Sequence, residues 1–371
     1  MDRNNLIGLV LITLIVTGWL IWSSVNEQPV PSELEEKPDT TEMVEKAEPP
    51  VIEEAAVENK RDAVQIYGET FAPFATGDYE VITVETDKVI AKLSSKGGDI
   101  IEWTLKDYEK WDGVQTQLVR ERKGQLYLGF LTYDNKNIDT RDLYFEIDND
   151  KSNYRIAGGE PLTLTATLEP EPGKKIIKEF TFHGDKFHVD NRITLQNMDK
   201  IIPNRGYNYI WSGGLAYQEK NSVDESTEAK AMVQMYGEVE DLDATEKEIQ
   251  EKSATGVIDY VGIKTKYFGM AIIPQPYREM DGTVDMAGRT INIPKKQIKY
   301  NATLETYDVA VRVPYRGGTE SHDFKVYIGP LEYDIVQAYG LEKMIYFGFE
   351  FGIRQIGEYF LRPIFTFIHN F

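Results

Sequence analysis

The sequence predicts a mainly β protein, in which antiparallel sheets pack face to face. Between about Asp78 and Pro330 apolar residues recur at every second position, for example in LTLTATL from Leu162, and this period is typical of strands with one buried face. Paired glycines separate the runs and supply the positive φ angles that tight connections need. Because helical segments do not alternate with these strands, we expect antiparallel sheets in a sandwich.

A second clear run is FHVDNRITL, in which Phe187 and Val189 share one face while His188 and Asp190 share the other. Runs of the same period begin at Tyr79, Lys88, Leu126, Ile176, Tyr307 and Phe324. The glycine pairs are Gly97-Gly98, Gly158-Gly159, Gly213-Gly214 and Gly317-Gly318. The main interruption is the polar segment from Asp241 to Lys252, whose composition favours an exposed helical insertion.

The N-terminal segment from Leu6 to Trp22 carries no charge, and as a helix it is about 25 Å long, close to the thickness of a bilayer core. A cleavable signal peptide is the alternative, but the segment ends in Trp19 and Trp22 rather than in small residues. We therefore expect Leu6, Trp19 and Trp22 to contact the membrane. Arg3 precedes the span, which indicates a cytoplasmic N-terminus and an exported remainder.

The chain has 41 basic and 61 acidic residues and a net charge of −20. This excess repels phosphate backbones and argues against nucleic acid as a partner. Much of it lies between Glu27 and Asp62, in a Glu- and Pro-rich stretch without apolar periodicity. Such a composition predicts a disordered, self-repelling tether over residues 26–76.

After Gly329-Pro330 the apolar period changes to 3.6. The string LEYDIVQAY predicts a short helix with Gly340 as its cap. The segment from Leu341 to Arg362 then predicts an amphipathic helix, and its many aromatic residues favour the membrane interface, although a helix docked on the β domain is the alternative. Pro363 ends the helix. Its predicted membrane-contacting residues are Ile345, Phe349, Ile353, Ile356 and Phe360.

The sequence offers little support for catalysis. It has no cysteine, which excludes disulfides, thiolate metal sites and cysteine nucleophiles. The four histidines are His183, His188, His322 and His369. Their spacing is not that of a metal-binding helix, and we expect His183 and His188 on opposite faces of a strand turn. The sequence therefore predicts no catalytic residue, no cofactor and no metal site.

Several strings occur in an order that resembles one family. They follow the N-terminal span and its acidic tether: LSSKGGDI at Leu93, DYVGIKTKYFGMAIIP at Asp259, VYIGPLEYDIVQAYGLEKMIYFG at Val326 and YFLRPIFTFIHNF at Tyr359. Together they resemble the YidC family of bacterial membrane protein insertases, in its Gram-negative form with a large periplasmic domain. The family's hydrophilic groove is built by membrane helices that we expect beyond Phe371, so no groove residue is carried onto this chain.

The resemblance implies a supersandwich similar to galactose mutarotase, in an inner-membrane protein with most of this chain in the periplasm. It implies a non-enzymatic insertase that contacts the lipid bilayer and assists nascent membrane proteins, alone or beside the Sec translocon. The predicted parts are an anchor at 1–25, a tether at 26–76, a β domain at 77–330 and a helical segment at 331–371. The alternative is a membrane-anchored carbohydrate-binding or sugar-epimerase-like protein, which would need paired histidines and a carboxylate in one cleft.

Overall fold

The computed structural model describes residues 52–120, 125–203, 206–245, 248–293 and 302–345, which belong to one compact unit that starts at Ile52. The predicted span from Leu6 to Trp22 lies outside these ranges, as does the part of the predicted amphipathic helix, Leu341 to Arg362, that follows Ile345. At the described start of that helix the prediction is wrong, because the chain forms the 3-10 turn Glu342–Met344 and is extended at Ile345. Within the described ranges, no helix has the length and apolar character needed to cross a membrane.

The strands are listed here in chain order. They are β1 (Val81–Glu85), β2 (Val89–Ser94), β3 (Asp99–Glu109), β4 (Gln115–Val119), β5 (Leu126–Leu131), β6 (Asn137–Asp139), β7 (Glu146–Asp148), β8 (Asn153–Arg155), β9 (Pro161–Glu171), β10 (Lys174–His183), β11 (His188–Gln196), β12 (Gly206–Trp211), β13 (Lys230–Met235), β14 (Glu238–Leu242), β15 (Gln250–Lys264), β16 (Phe268–Gln275), β17 (Asp281–Ile293), β18 (Ala302–Pro314) and β19 (Thr319–Pro330). The helices are α1 (Ile52–Phe71), α2 (Ser222–Ser226) and α3 (Tyr333–Gln337), and short 3-10 turns cover Ala72–Ala75, Thr140–Asp142, Met198–Lys200 and Glu342–Met344.

Two sheets form the described part of the chain. The five-stranded sheet has the order β4-β3-β2-β1-β8. The 14-stranded sheet runs β6-β5-β12-β18-β17-β15-β16-β19-β11-β10-β9-β7, with β13 and β14 attached beside β15. All of these strand pairs are antiparallel except β1 with β8. The predicted fold class, mainly β with antiparallel sheets, is therefore confirmed.

The large sheet folds back on itself to enclose a core. Tyr209 in β12 donates a hydrogen bond to Asn191 Oδ1 in β11 at 2.5 Å, and its ring lies 4.6 Å from that of Phe324 in β19. These strands are not neighbours in the sheet order, so their contact requires that the two halves face each other. The small sheet joins the core where Trp103 Nε1 donates to the carbonyl of Ile328 at 2.9 Å.

The predicted alternation is present in the strands. In β9, Leu164, Ala166 and Leu168 are buried while the intervening threonines are only half-buried. The turn at Gly97-Gly98 has φ angles of 86° and 54°, in the region where a Cβ atom is strained. The predicted strand alternation and the predicted glycine turn are thus confirmed at these positions.

Residues 52–76 differ from the predicted disordered tether. They form α1 and a 3-10 turn, and Phe71 at the end of α1 is fully buried, with its ring 5.6 Å from that of Phe130. The carbonyl of Phe74 also accepts a hydrogen bond from the backbone of Tyr144 at 2.8 Å. Phe71 and Phe74 supply apolar contacts with the β domain that the acidic composition of the preceding residues did not predict.

The predicted helical insertion from Asp241 to Lys252 is also wrong where the structure describes it. Leu242 belongs to β14 and pairs with Ala231, while Lys252 belongs to β15 and pairs with Met286 of β17. Backbone pairing with two neighbouring strands outweighs the modest helix propensity of this polar segment.

Candidate functional site

The chain leaves the β domain through residues 331–345, which we call the C-terminal segment. It follows β19 and contains α3 and the 3-10 turn Glu342–Met344. Val336, Leu341 and Met344 are each fully buried in the hydrophobic core. The segment is therefore a packed part of the domain.

Glycines in β15 and β16 allow this close approach. A Cβ atom at Gly269 would lie 3.1 Å from Met344 Cε and 2.9 Å from Leu331 Cδ2. A Cβ atom at Gly262 would lie 3.2 Å from the same Met344 atom and 2.4 Å from the backbone oxygen of Met270. A side chain at either position would push against the C-terminal segment. The two glycines therefore allow the segment to lie close to β15 and β16.

The predicted cap at Gly340 is confirmed. Gly340 has a φ of 71°, its N–H donates to the carbonyl of Gln337 at 3.2 Å, and the N–H of Leu341 donates to the carbonyl of Val336 at 3.0 Å. These bonds satisfy carbonyls at the end of α3 and reverse the chain direction. Leu341 and Met344 are thereby turned back into the core.

Polar contacts hold both ends of the C-terminal segment. Near its start, Tyr108 donates a hydrogen bond from its hydroxyl to Glu332 Oε1 at 2.7 Å, and burial followed by this carboxylate raises the pKa of Tyr108. Near its end, Lys343 Nζ donates to the carbonyl of Gly237 in the β13–β14 turn. Each contact links residues more than a hundred positions apart in the chain.

The β13–β14 turn that receives Lys343 is itself held by Asp259. This carboxylate is fully buried and accepts from Gly237 N at 2.9 Å, from Gln234 Nε2 at 2.8 Å and from the Arg278 guanidinium at 2.9 and 3.0 Å. A buried carboxylate needs such partners to offset the loss of water. The Asp259 carboxylate raises the pKa of Arg278, mainly through this hydrogen bonding.

A second cluster lies beside the segment, at the turn between β10 and β11. His183 Nε2 lies 2.7 Å from Asp190 Oδ2, His188 Nε2 lies 3.5 Å from Asp190 Oδ1, and the two imidazole rings are 5.1 Å apart. His188 Nδ1 lies 3.0 Å from the hydroxyl of Tyr339 in the C-terminal segment. Burial lowers the pKa of His188 to about 4, so this imidazole is neutral at neutral pH.

This cluster corrects the expectation that His183 and His188 point to opposite faces. The turn between them contains the four residues Gly184 to Phe187, and the pairing of Phe182 with Val189 places the two histidines directly opposite each other. Opposed residues of an antiparallel pair share a face. Treating the segment as a tight hairpin would have revealed the cluster from the sequence.

Asp190 also borders a polar groove of about 470 Å³ on the outer face of β9, β10, β11 and β19. Arg192 and Asp323 form a two-pronged ion pair there, at 2.6 and 3.0 Å. The groove is lined by Thr163, Glu179, Thr181, Asp190, Asn191, Arg192, Gln275, Asp323 and Phe324. Neither imidazole is among these residues, so the groove does not present the paired histidines that the epimerase-like alternative requires.

The predicted membrane-contacting residues lie mostly outside the described ranges. Ile345 is half-buried and packs against the core. Leu6, Trp19, Trp22, Phe349, Ile353, Ile356 and Phe360 are outside the described residues, and their membrane contacts remain a prediction. The sequence reading had not singled out the anchoring residues Val336, Leu341 and Met344, although their spacing suits a helix followed by a turn.

Comparison with known proteins places this architecture in a family. The YidC periplasmic domain matches residues 81–362. This chain belongs to the YidC family. Membrane protein insertases YidC from Chloroherpeton thalassium and Chlorobaculum parvum are 34% and 32% identical to it over 100% of the chain, and the matches cover 62% and 61% of those proteins. The chain thus spans about three fifths of the length of these YidC relatives.

Solved structures with a similar course of the chain were also found for this YidC family member. A galactose mutarotase related enzyme from Lactobacillus acidophilus has a TM-score of 0.40 at 9% identity, covering 67% of this chain and 97% of its own. A putative aldose 1-epimerase from Escherichia coli K12 has a TM-score of 0.38 at 8% identity, covering 68% of this chain and 99% of its own.

Proposed function

We propose that this chain is part of a YidC-type insertase, which assists the insertion, folding and assembly of integral membrane proteins. The proposal is supported by the family match over residues 81–362 and by relatives named membrane protein insertase over the whole chain. Because the chain spans 62% and 61% of two of those relatives, the activity is proposed for the complete protein. The proposed role is non-enzymatic.

Within that protein, the β domain acts as a periplasmic scaffold that sets where the chain leaves toward its C-terminal part. The observation that carries this role is the complete burial of Val336, Leu341 and Met344. A segment held by three core side chains and two long-range polar contacts has little freedom to swing. The scaffold would therefore transmit a fixed position to residues after 345.

The proposed setting is the bacterial inner membrane. Residues 1–25 form the anchor, 77–330 lie in the periplasm, and 331–371 lead to the membrane surface through Ile345, Phe349, Ile353, Ile356 and Phe360. The proposed tether is shorter than the predicted range 26–76, because it ends where α1 begins at Ile52. The proposed partners are the lipid bilayer, nascent membrane proteins and the Sec translocon.

Complementation tests the insertase activity. The complete reading frame that contains this chain is expressed in a bacterium depleted of its own YidC-family insertase, and protease protection of a small reporter membrane protein is measured. We expect insertion to be restored. Loss of insertion with Leu341→Asp, but not with Ile66→Asp at a position that is 57% exposed, would support the scaffold role. Failure of the unchanged protein to restore insertion would overturn the insertase proposal.

Flotation with liposomes tests the interfacial helix. A chain lacking residues 1–51 is compared with its variant carrying Phe349→Ser, Ile353→Ser and Phe360→Ser. Each buried apolar side chain contributes about 1.5 to 3 kcal/mol at full burial, so the variant should be released from the vesicles with its β-sheet circular dichroism unchanged. Equal flotation of both proteins, or a sharp fall in the thermal midpoint of the variant, would instead indicate a helix docked on the β domain.

A further inference from the structure

We propose that His183, His188 and Asp190 form a binding site for a divalent transition metal ion, with Zn²⁺ as the ion that this donor set fits best. The proposal does not depend on insertase activity. One potential ligand atom from each residue lies within 4.8 Å of the others. Ligand atoms around a tetrahedral Zn²⁺ with bonds of about 2.0 to 2.2 Å are about 3.3 to 3.6 Å apart. The three side chains therefore need only small rotations to share one ion.

The donor chemistry selects the class of metal. Two imidazole nitrogens with one carboxylate form a set that binds Zn²⁺, whereas Ca²⁺ and Mg²⁺ prefer oxygen ligands alone. Three protein ligands leave the fourth position of a tetrahedron for water. The side chains of His183 and Asp190 are 24% and 44% exposed, so an ion and its water can reach the cluster from solvent.

The backbone builds the site rigidly. The β10–β11 pairing runs in continuous register from Lys175 with Gln196 to Phe182 with Val189. β11 is paired on its other side along β19, from His188 with Tyr327 to Gln196 with Thr319. His188 and Asp190 therefore stand on a strand held from both sides, and His183 faces them from the adjacent strand.

Tyr339 supplies the outer contact that a ligating histidine commonly has. Its hydroxyl lies 3.0 Å from His188 Nδ1, so a proton on Nδ1 that is donated to Tyr339 leaves Nε2 free to bind the ion. The rings of His188 and Tyr339 are 5.3 Å apart at an interplanar angle of 75°. The imidazole is thus held with Nε2 toward Asp190.

Charged neighbours only partly oppose a cation. Lys325 pairs in register with Asp190 on β19, and Lys186 lies in the adjacent turn, where it forms an ion pair with Asp185 at 3.0 Å. The ion pair with Asp185 partly offsets the charge of Lys186, and the Asp190 carboxylate contacts both histidines directly. A bound ion would join the β10–β11 turn, through His188, to Tyr339 in the C-terminal segment.

Metal titration of the 371-residue chain in detergent, after removal of metals with chelator, tests the site. Zn²⁺ binding is measured by competition with a chromophoric chelator, and Co²⁺ is added separately to record its visible absorption. We expect one Zn²⁺ per chain and a Co²⁺ spectrum typical of tetrahedral coordination. Absence of stoichiometric binding would overturn the proposal.

Variants locate the ion. His183→Gln and Asp190→Asn remove partly exposed ligands and should weaken Zn²⁺ affinity by more than about tenfold, while Tyr339→Phe removes an outer contact and should weaken it by about 10- to 100-fold. His322→Gln is the matched control on β19 and should bind as the parent does. Equal affinity of the parent, His183→Gln and Asp190→Asn, each with native circular dichroism, would show that any ion binds elsewhere and would refute the assignment.

Discussion

Replacement of Lys178 by methionine should destabilise the β domain strongly, and the loss should grow with pH. Lys178 and Asp99 are both essentially excluded from solvent, at 1% and 0% exposure. Lys178 Nζ donates to the carbonyl of Gly97 at 2.9 Å, and Asp99 accepts from the N–H groups of Ile100 at 2.7 Å and Leu126 at 2.8 Å. The bond from Lys178 to Gly97 ties β10 of the large sheet to the turn before β3 in the small sheet, and the charge of Lys178 acts on the Asp99 carboxylate at the start of β3.

The size of the stability loss follows from the state of Asp99 after Lys178 is replaced by methionine. Removing one partner of a buried charge pair costs about 3 to 5 kcal/mol, because Asp99 must then either stay charged without compensation or keep a proton that the unfolded chain has released. Burial raises the pKa of Asp99 even with Lys178 nearby, and burial lowers the pKa of Lys178. Without the lysine, the pKa of Asp99 should rise further.

The sign of the pH effect can be worked out from these shifts. An acid whose pKa is raised on folding keeps a proton that the unfolded chain has released, so it lowers stability as pH rises from its unfolded pKa to its folded pKa. In the parent this loss stops at the folded pKa of Asp99, which the charge of Lys178 holds down. In Lys178→Met it continues at about 1.4 kcal/mol per pH unit. The deficit of the variant should therefore widen between pH 6 and pH 8.

Urea unfolding at pH 6 and pH 8, followed by circular dichroism, measures this deficit. The double variant Asp99→Asn with Lys178→Met lacks the titrating carboxyl, and its deficit should widen much less over this range. Lys186→Met, at a lysine whose side chain is 48% exposed, is the control for loss of a positive charge. A deficit below about 1 kcal/mol at pH 8, or one that is equal at both pH values, would refute the role of the buried charge.

Three further substitutions test the packing described above by the same urea assay. Leu341→Ala should cost about 2 to 5 kcal/mol, because it leaves a cavity at a fully buried position, whereas Ile66→Ala at an exposed site should change stability by less than about 0.5 kcal/mol. Phe71→Ala should cost about 3 to 5 kcal/mol, and a loss under 1 kcal/mol would restore the picture of a tether without core contacts. Gly340→Ala should cost about 1 kcal/mol, since its φ of 71° strains a Cβ atom, and Gly159→Ala, which has open space around it, should cost less.

The sequence alone determined the fold class, because the signals behind it are local. Alternation of buried and exposed side chains, as at Leu164, Ala166 and Leu168, depends only on the pleat of one strand. The turn glycines and the cap at Gly340 depend on the φ angle of single residues. These features can be predicted without knowledge of any distant partner. The family was predicted from the ordered strings that resemble YidC.

Only the tertiary structure decided which distant residues meet. The composition of residues 52–76 predicted a tether, yet Phe71 packs against Phe130 in the core. In Asp241 to Lys252, pairing of Leu242 with β13 and of Lys252 with β17 outweighs helix propensity. In both places the free energy comes from contacts with other segments of the chain, which local propensity does not report.

The same reason explains what could be foreseen of the candidate sites. His183 and His188 were close in sequence, and one correct hairpin register would have placed them together. The contact of His188 with Tyr339 spans 151 positions, and the packing of Met344 against Gly262 and Gly269 joins β15, β16 and the C-terminal segment. Such contacts are set by the register and curvature of a whole sheet, because a side chain's neighbours across the core depend on how every intervening strand pairs.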